Sequence, residues 1–278
     1  MSNNAGTVNN PSPLRPITML IGGGGILSFI LALTVWGLFS MQKQTDMVQV
    51  QTETGTTVNS AIVLEAAAID QMEIGNNAVA IKMFSQVIEM APERSAPYHY
   101  RAVIYASQGE HEKAIADFDV AIEANSHWAL PLTGRAASYT AMEQLSKAVA
   151  DLDKAIMLEP GESTLYANRG QLHHQLGKLN IAREDLNMAV SLDAGSVPAH
   201  FNRGVLLYAL GKTDQALADF DKAITIDPSH APLYFNRGLI LAELEQAEQA
   251  KADLEQFIAL SNNEQWISLA EMRLAELE

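Results

Sequence analysis

Residues 197–230 read VPAHFNRGVLLYALGKTDQALADFDKAITIDPSH, and the preceding 163–196 read STLYANRGQLHHQLGKLNIAREDLNMAVSLDAGS. Superimposed, the two stretches align an Asn-Arg-Gly triplet, a Gly-Lys pair, an alanine (Ala182 with Ala216) and an aspartate (Asp185 with Asp219). On each side of the Gly-Lys pair, apolar and small residues recur at i, i+3, i+4 and i+7, the spacing of one helix face. Each stretch therefore predicts two amphipathic helices joined by a turn.

The same period of 34 runs outward in both directions without insertion, giving six blocks: 61–94, 95–128, 129–162, 163–196, 197–230 and 231–264. Block position 20 is always alanine, namely Ala80, Ala114, Ala148, Ala182, Ala216 and Ala250. Position 8 is always small (Ala68, Ala102, Ala136, Gly170, Gly204, Gly238), and position 24 is always large and apolar (Phe84, Phe118, Leu152, Leu186, Phe220, Leu254). Small against small lets two helices touch, and the large residue fills the space beside them. Gly75, Gly109, Gly177 and Gly211 at position 15 end the first helix, because glycine takes the left-handed conformation without a Cβ clash. Pro92, Pro160 and Pro228 close the second helix, and Pro97, Pro131, Pro198 and Pro232 fall in the next first turn, where a missing N–H costs nothing.

Period, helix pairing and these small, large and proline positions resemble the tetratricopeptide repeat (TPR) family. The resemblance covers 61–264, with departures at Glu143 and Glu245 in place of the turn glycine and at Ser126, Ala194 and Asn262 in place of the proline. It implies an all-α, right-handed superhelical solenoid with first helices lining a concave groove. After the last block, 265–278 carries Trp266, Leu269, Ala270 and Leu274, an amphipathic helix expected to cap the stack.

Before the repeats, 1–16 is a polar tail and 17–39 runs from Ile17 to Phe39 without a charge. As a helix of about 23 residues, that run would be about 34 Å long, so it predicts a single transmembrane anchor followed by a polar linker over 40–58. Arg15 on one flank and Lys43 with Asp46 on the other assign neither side of a membrane.

Position 7 lies on the buried stripe, yet five blocks place arginine there: Arg101, Arg135, Arg169, Arg203 and Arg237. The same five blocks carry Asp117, Asp151, Asp185, Asp219 and Asp253 at position 23, and the first block has neither, with Ala67 and Met83 instead. A buried charge demands a partner. In an antiparallel hairpin turning near position 15 the two positions face each other, so each arginine is expected to pair within its own block. Pairing with the preceding block would set Arg101 against Met83 and leave Asp253 alone. A basic row for an anionic ligand is the functional alternative, which the matched aspartates would neutralise.

The resemblance assigns positions 2, 5, 6, 9, 12 and 13 to the groove, where charges are few. Asn168, Asn202 and Asn236 share position 6, and Phe201, Phe235, Tyr208, Tyr100 and His174 stand on the same face. An amide offers both a donor and an acceptor, which suits an extended peptide backbone. The row resembles the asparagine ladder of some TPR and armadillo-type proteins, although asparagine is also tolerated on any wet helix face. Tyr100 and Gly134 interrupt it in blocks two and three, and no lysine stands at position 2, so the clamp for acidic chaperone C-termini is missing.

Other chemistry is excluded residue by residue. There is no cysteine, hence no disulfide or thiolate site, and 18 basic against 33 acidic residues, a net charge of −15, argue against nucleic-acid binding. Gly211-Lys212-Thr213 lacks the upstream glycine of a phosphate loop, since Leu206 stands there. His173 and His174 point to different faces, so no metal is expected, and neither are a cofactor, a small-molecule substrate or catalysis. Asp151, Asp153 and Lys154 read as a solvated charged face. The expected function is a membrane-tethered adaptor holding a partner segment, with basic partners favoured, for assembly or maintenance of a membrane protein complex. The alternative is a self-associating scaffold without a peptide ligand.

Overall fold

The computed structural model describes residues 55–277, and these form thirteen α-helices and no strand. They are α1 (Gly55–Glu73), α2 (Asn77–Met90), α3 (Ser95–Ser107), α4 (His111–Ala124), α5 (Ala129–Ala141), α6 (Leu145–Leu158), α7 (Ser163–Gln175), α8 (Leu179–Leu192), α9 (Val197–Ala209), α10 (Thr213–Ile226), α11 (Ala231–Glu243), α12 (Ala247–Leu260) and α13 (Glu264–Ala275). Odd-numbered helices through α11 are the first of each pair and even-numbered ones the second. Each pair packs as a hairpin, and each second helix packs on the first helix of the next pair. First helices of neighbouring pairs also touch, as α3 with α5 and α7 with α9, so the first helices form the inner layer.

The repeated alanines at position 20 are all 0 % exposed, and beside them Phe84, Phe118, Leu186, Phe220 and Leu254 are equally sealed. Close approach is what the glycine at position 8 provides. A Cβ on Gly170 would lie 2.8 Å from Leu186 Cγ, nearer than any side chain tolerates. Burying each large apolar side chain stabilises the stack by about 1.5–3 kcal/mol. The helix α13 closes the end: Ala270 is sealed and Trp266, Leu269 and Leu274 lie on the cluster of Phe235, Leu254 and Phe257.

The turns keep one geometry despite the sequence departures. Glu143 and Glu245 adopt φ of 58° and 59°, beside 72–81° at Gly75, Gly109, Gly177 and Gly211. The backbone demand overrides the side chain there, and each glutamate carries the strain of the left-handed region.

Two expectations need correction. Four residues of the stretch read as linker, 55–58, belong to α1. The single-pass membrane location is not upheld: among the described residues no helix is long and apolar enough to cross a membrane, and 17–39 lies outside them.

Candidate functional site

Two sets of polar side chains stand on the first helices, one through repeats two to six and one in repeats four and five, and their hydrogen bonding separates them. The first set lies in the seam inside each helix pair. Arg101 grips Asp117 through Nε and Nη2, both at 2.7 Å. Arg135 holds Asp151, Arg169 holds Asp185, Arg203 holds Asp219 and Arg237 holds Asp253 by the same two-pronged contact, at 2.6–3.0 Å. Planar guanidinium against planar carboxylate is the strongest such geometry. Hydrogen bonds to these aspartates, ahead of the opposing cost of burial, push Arg101, Arg135, Arg169 and Arg237 above the ordinary guanidinium value. None of these charges is left to face an anionic ligand.

A further contact was not foreseen. The remaining Nη1 of each arginine donates to position 25 of the preceding repeat: Ser85 at 2.8 Å, Asp119 at 2.5 Å, Asp153 at 2.8 Å, Asn187 at 3.3 Å and Asp221 at 2.5 Å. One guanidinium thus ties its own hairpin shut and staples it to its neighbour. Asp153, read above as a solvated charge, is a member of this staple. Its signal was the invariable hydrogen-bond acceptor at position 25.

Histidines complete the seam in two repeats. His173 Nδ1 lies 3.0 Å from Asp185 Oδ2, and His200 lies between Asp219 Oδ1 (2.8 Å) and the Ala194 carbonyl (3.2 Å). Among the described residues no group of three or more His, Asp or Glu is placed to hold a metal.

The second set faces the inner layer. Asn168, Asn202 and His174 are half-buried, and their side chains make no hydrogen bond to any described residue. Gln171, one turn beyond Asn168, is in the same state. Burial lowers the pKa of His174, so its ring is neutral at physiological pH. Tyr208 reaches across to Glu243 on the next first helix and donates its hydroxyl to that carboxylate. Burial first, and Glu243 second, hold this phenol protonated.

Other residues assigned to the groove sit deeper than the family pattern implies. Asn236 is 2 % exposed; its amide donates to the Pro232 carbonyl at 2.8 Å and its oxygen is enclosed without a partner. Phe235 lies under Phe257 and Trp266, with centroids 4.9 and 5.5 Å away, and Phe201 packs on Phe220 at 6.0 Å. Tyr100 stacks on Phe84 at 5.7 Å. Tyr100 covers the joint with the preceding helix pair and Phe235 the joint with the cap, while Phe201 packs within its own pair and Asn236 bonds its own helix. Gly134 cannot be replaced by asparagine for a related reason, since a Cβ there would lie 2.4 Å from the ring of Phe118.

Between α5 and α7 the inner wall has a shallow, solvent-open hollow lined by Thr133, Ala136, Ala137, Thr140, Asn168 and Gln171 over a floor of Leu152 and Leu172.

Comparison with known proteins agrees with this architecture. Tetratricopeptide repeat models match 65–127, 163–195, 197–230 and 221–275. No curated protein matches the sequence. Among solved structures, Pseudomonas aeruginosa PilF is similar over 78 % of this chain and 99 % of its own, at 16 % identity and TM-score 0.67. A tetratricopeptide repeat protein from Parabacteroides merdae is similar over 78 % and 86 %, at 20 % identity and TM-score 0.66. In an APC/C hetero-tetramer the similarity covers 89 % of this chain but 45 % of that one, at 17 % identity and TM-score 0.69. At such identities these likenesses speak for the fold alone. Helix pairs at a fixed period, stacked through sealed alanines and matched by repeat models over 65–127, 163–195 and 197–275, show that the chain belongs to the tetratricopeptide repeat family, whose fold serves protein–protein interaction adaptors and scaffolds.

Proposed function

We propose that this chain is a non-enzymatic adaptor that binds a segment of another protein along its inner layer, in the assembly or maintenance of a protein complex. The observation that carries the reading is the contrast in hydrogen bonding: seam residues satisfy one another, whereas Asn168, Gln171, His174 and Asn202 offer donors and acceptors that no described residue uses. Leaving such groups half-buried costs free energy unless water or a ligand answers them. A peptide backbone, alternating donor and acceptor, supplies what an amide row lacks. The net charge of −15 creates a field that raises the encounter rate with basic partners.

The test is crosslinking in cells of the native host, with a photoreactive residue at position 171 of the full chain and, as a control, at Met157, which is 82 % exposed on the outer layer. The expected outcome is a crosslink to a different protein from position 171, absent from 157 and lost in Asn168→Ala/Asn202→Ala. Crosslinks only between copies of this chain would overturn the adaptor in favour of a self-associating scaffold.

A further inference from the structure

The two ends of the stack are finished differently. At the C-terminal end α13 covers the last helix pair, whereas at the N-terminal end α1 packs, among the described residues, on α2 and α3. In later repeats one side of the first helix is closed by the second helix of the preceding repeat. Ile104 shares a cluster with Ala80 and Phe84, Leu206 with Ala182 and Leu186, and Leu233 and Ile240 with Ala216 and Phe220. These four residues, at block positions 3 and 10, are at most 2 % exposed.

In the first repeat Val63 and Asp70 hold those positions, and Ile74 follows one turn on. Val63 and Ile74 are each 67 % exposed, and Asp70 is exposed without an ion pair to any described residue. Ala67 stands between them, where other repeats carry the arginine that reaches back to its predecessor. The four fall at i, i+4, i+7 and i+11, one stripe along the helix. Valine and isoleucine offer apolar surface, and alanine lets a second helix approach closely. An aligned apolar stripe left open to water marks an interaction surface.

Asp70 decides the occupant. Two copies of this chain meeting face to face about a two-fold axis would set Asp70 near Asp70, a costly like-charge contact. Head-to-tail stacking is closed off at the other end by α13. The charge-free run at 17–39 would bury the carboxylate without a partner. A helix that brings a cation answers it. We infer that this face of α1 docks an amphipathic helix of another protein, laid where the second helix of a preceding repeat would lie, with a lysine or arginine in its apolar stripe to meet Asp70. The surface is separate from the inner wall and does not rest on it.

The probe is a displayed library of amphipathic helices in which each stripe position is alanine, leucine, lysine or glutamate, selected against the full chain. The surface predicts enriched helices with lysine at one stripe position and glutamate at none. Asp70→Asn should weaken their binding about tenfold, and Asp70→Lys should turn the selection towards glutamate. Val63→Asp/Ile74→Asp should abolish binding, and because both side chains are exposed the thermal transition should stay unchanged. If that double variant misfolds, the charge reversal at Asp70 carries the test alone. No enriched helix, or enriched helices indifferent to Val63 and Ile74, would overturn the surface. Dependence on both residues with no preference for lysine would overturn the basic partner. So would a dimer of the full chain that the double variant dissociates, or an internal crosslink from a photoreactive residue at position 74 to residues 17–39.

Discussion

The seam and the groove wall are built from similarly polar side chains on the same helices, yet they do opposite work. In the seam every guanidinium of the ladder is engaged by its own repeat and by the preceding one, and the side chains of Asp151, Asp185, Asp219 and Asp253 are 5–7 % exposed. On the groove wall Asn168, Gln171 and Asn202 are reachable and unengaged. Polarity along a first helix therefore does not mark a binding site. Hydrogen-bonding capacity that the fold leaves open, at a place a partner reaches, does. His99 shows why both conditions are needed: its two ring nitrogens lack partners, but they are enclosed by Tyr100, Phe118 and Trp128, with centroids at 5.3, 5.7 and 4.6 Å.

The largest effect comes from breaking the seam. Asp185→Ala leaves Arg169 with only its exposed contact to Asp153 and His173 with no partner, and chemical denaturation should show a loss of about 3–5 kcal/mol. The first repeat is a natural experiment on the same site, with Ala67 and Met83 where the others have arginine and aspartate, and Met83 packed on an apolar cluster. Copying it as Arg169→Ala/Asp185→Met should recover most of the loss. If the single and double variants were equally unstable, the pairing would not be what makes the aspartate necessary.

Enclosed but unengaged groups should reveal themselves through pH. Burial lowers the pKa of His99 from 6.5 to about 3, so the folded chain keeps it neutral while the unfolded chain protonates it below 6.5. Stability is thus complete above pH 6.5 and falls as pH drops from there towards 3, by about 1.4 kcal/mol per unit. His99→Phe should shrink the stability difference between pH 7.5 and 5 by about 2 kcal/mol. An unchanged difference would show that protonation of His99 is not responsible.

The turns set how the seam residues meet, and two of them carry strain. Glu143→Gly relieves the left-handed backbone without removing a packed side chain, and should raise stability by about 1 kcal/mol, as should Glu245→Gly. The staple between repeats is weaker than its geometry suggests, because the Asp153 side chain is 53 % exposed and screened by water. Asp153→Ala should cost less than about 1 kcal/mol, far below the cost at Asp185 in a matched denaturation series.

Much of the fold was legible in the sequence, for a physical reason. Alanine at position 20 and a small residue at position 8 are demanded by helix contact in every repeat, and glycine or a tolerated glutamate by the same turn. What was not legible depends on which neighbour covers a residue. Phe235 and Asn236 read as groove residues by their helix position, but Phe257 and Trp266 cover the first and the second is buried with its amide on the Pro232 carbonyl. Asp153 reads as a surface charge because nothing within one repeat shows that the next arginine reaches back. The free amides of Asn168 and Asn202 were visible as residues, but their lack of partners was not. The charge-free run at 17–39 is apolar enough to suggest a membrane location that the described helices do not support.

The smallest expected effect on stability is also the most direct test of function. Asn168→Ala/Asn202→Ala removes two unengaged side chains, so denaturation of the full chain should match the unsubstituted protein within about 0.5 kcal/mol, while the crosslink to a partner from position 171 disappears. Persistence of that crosslink at full strength in the stable double variant would contradict the account.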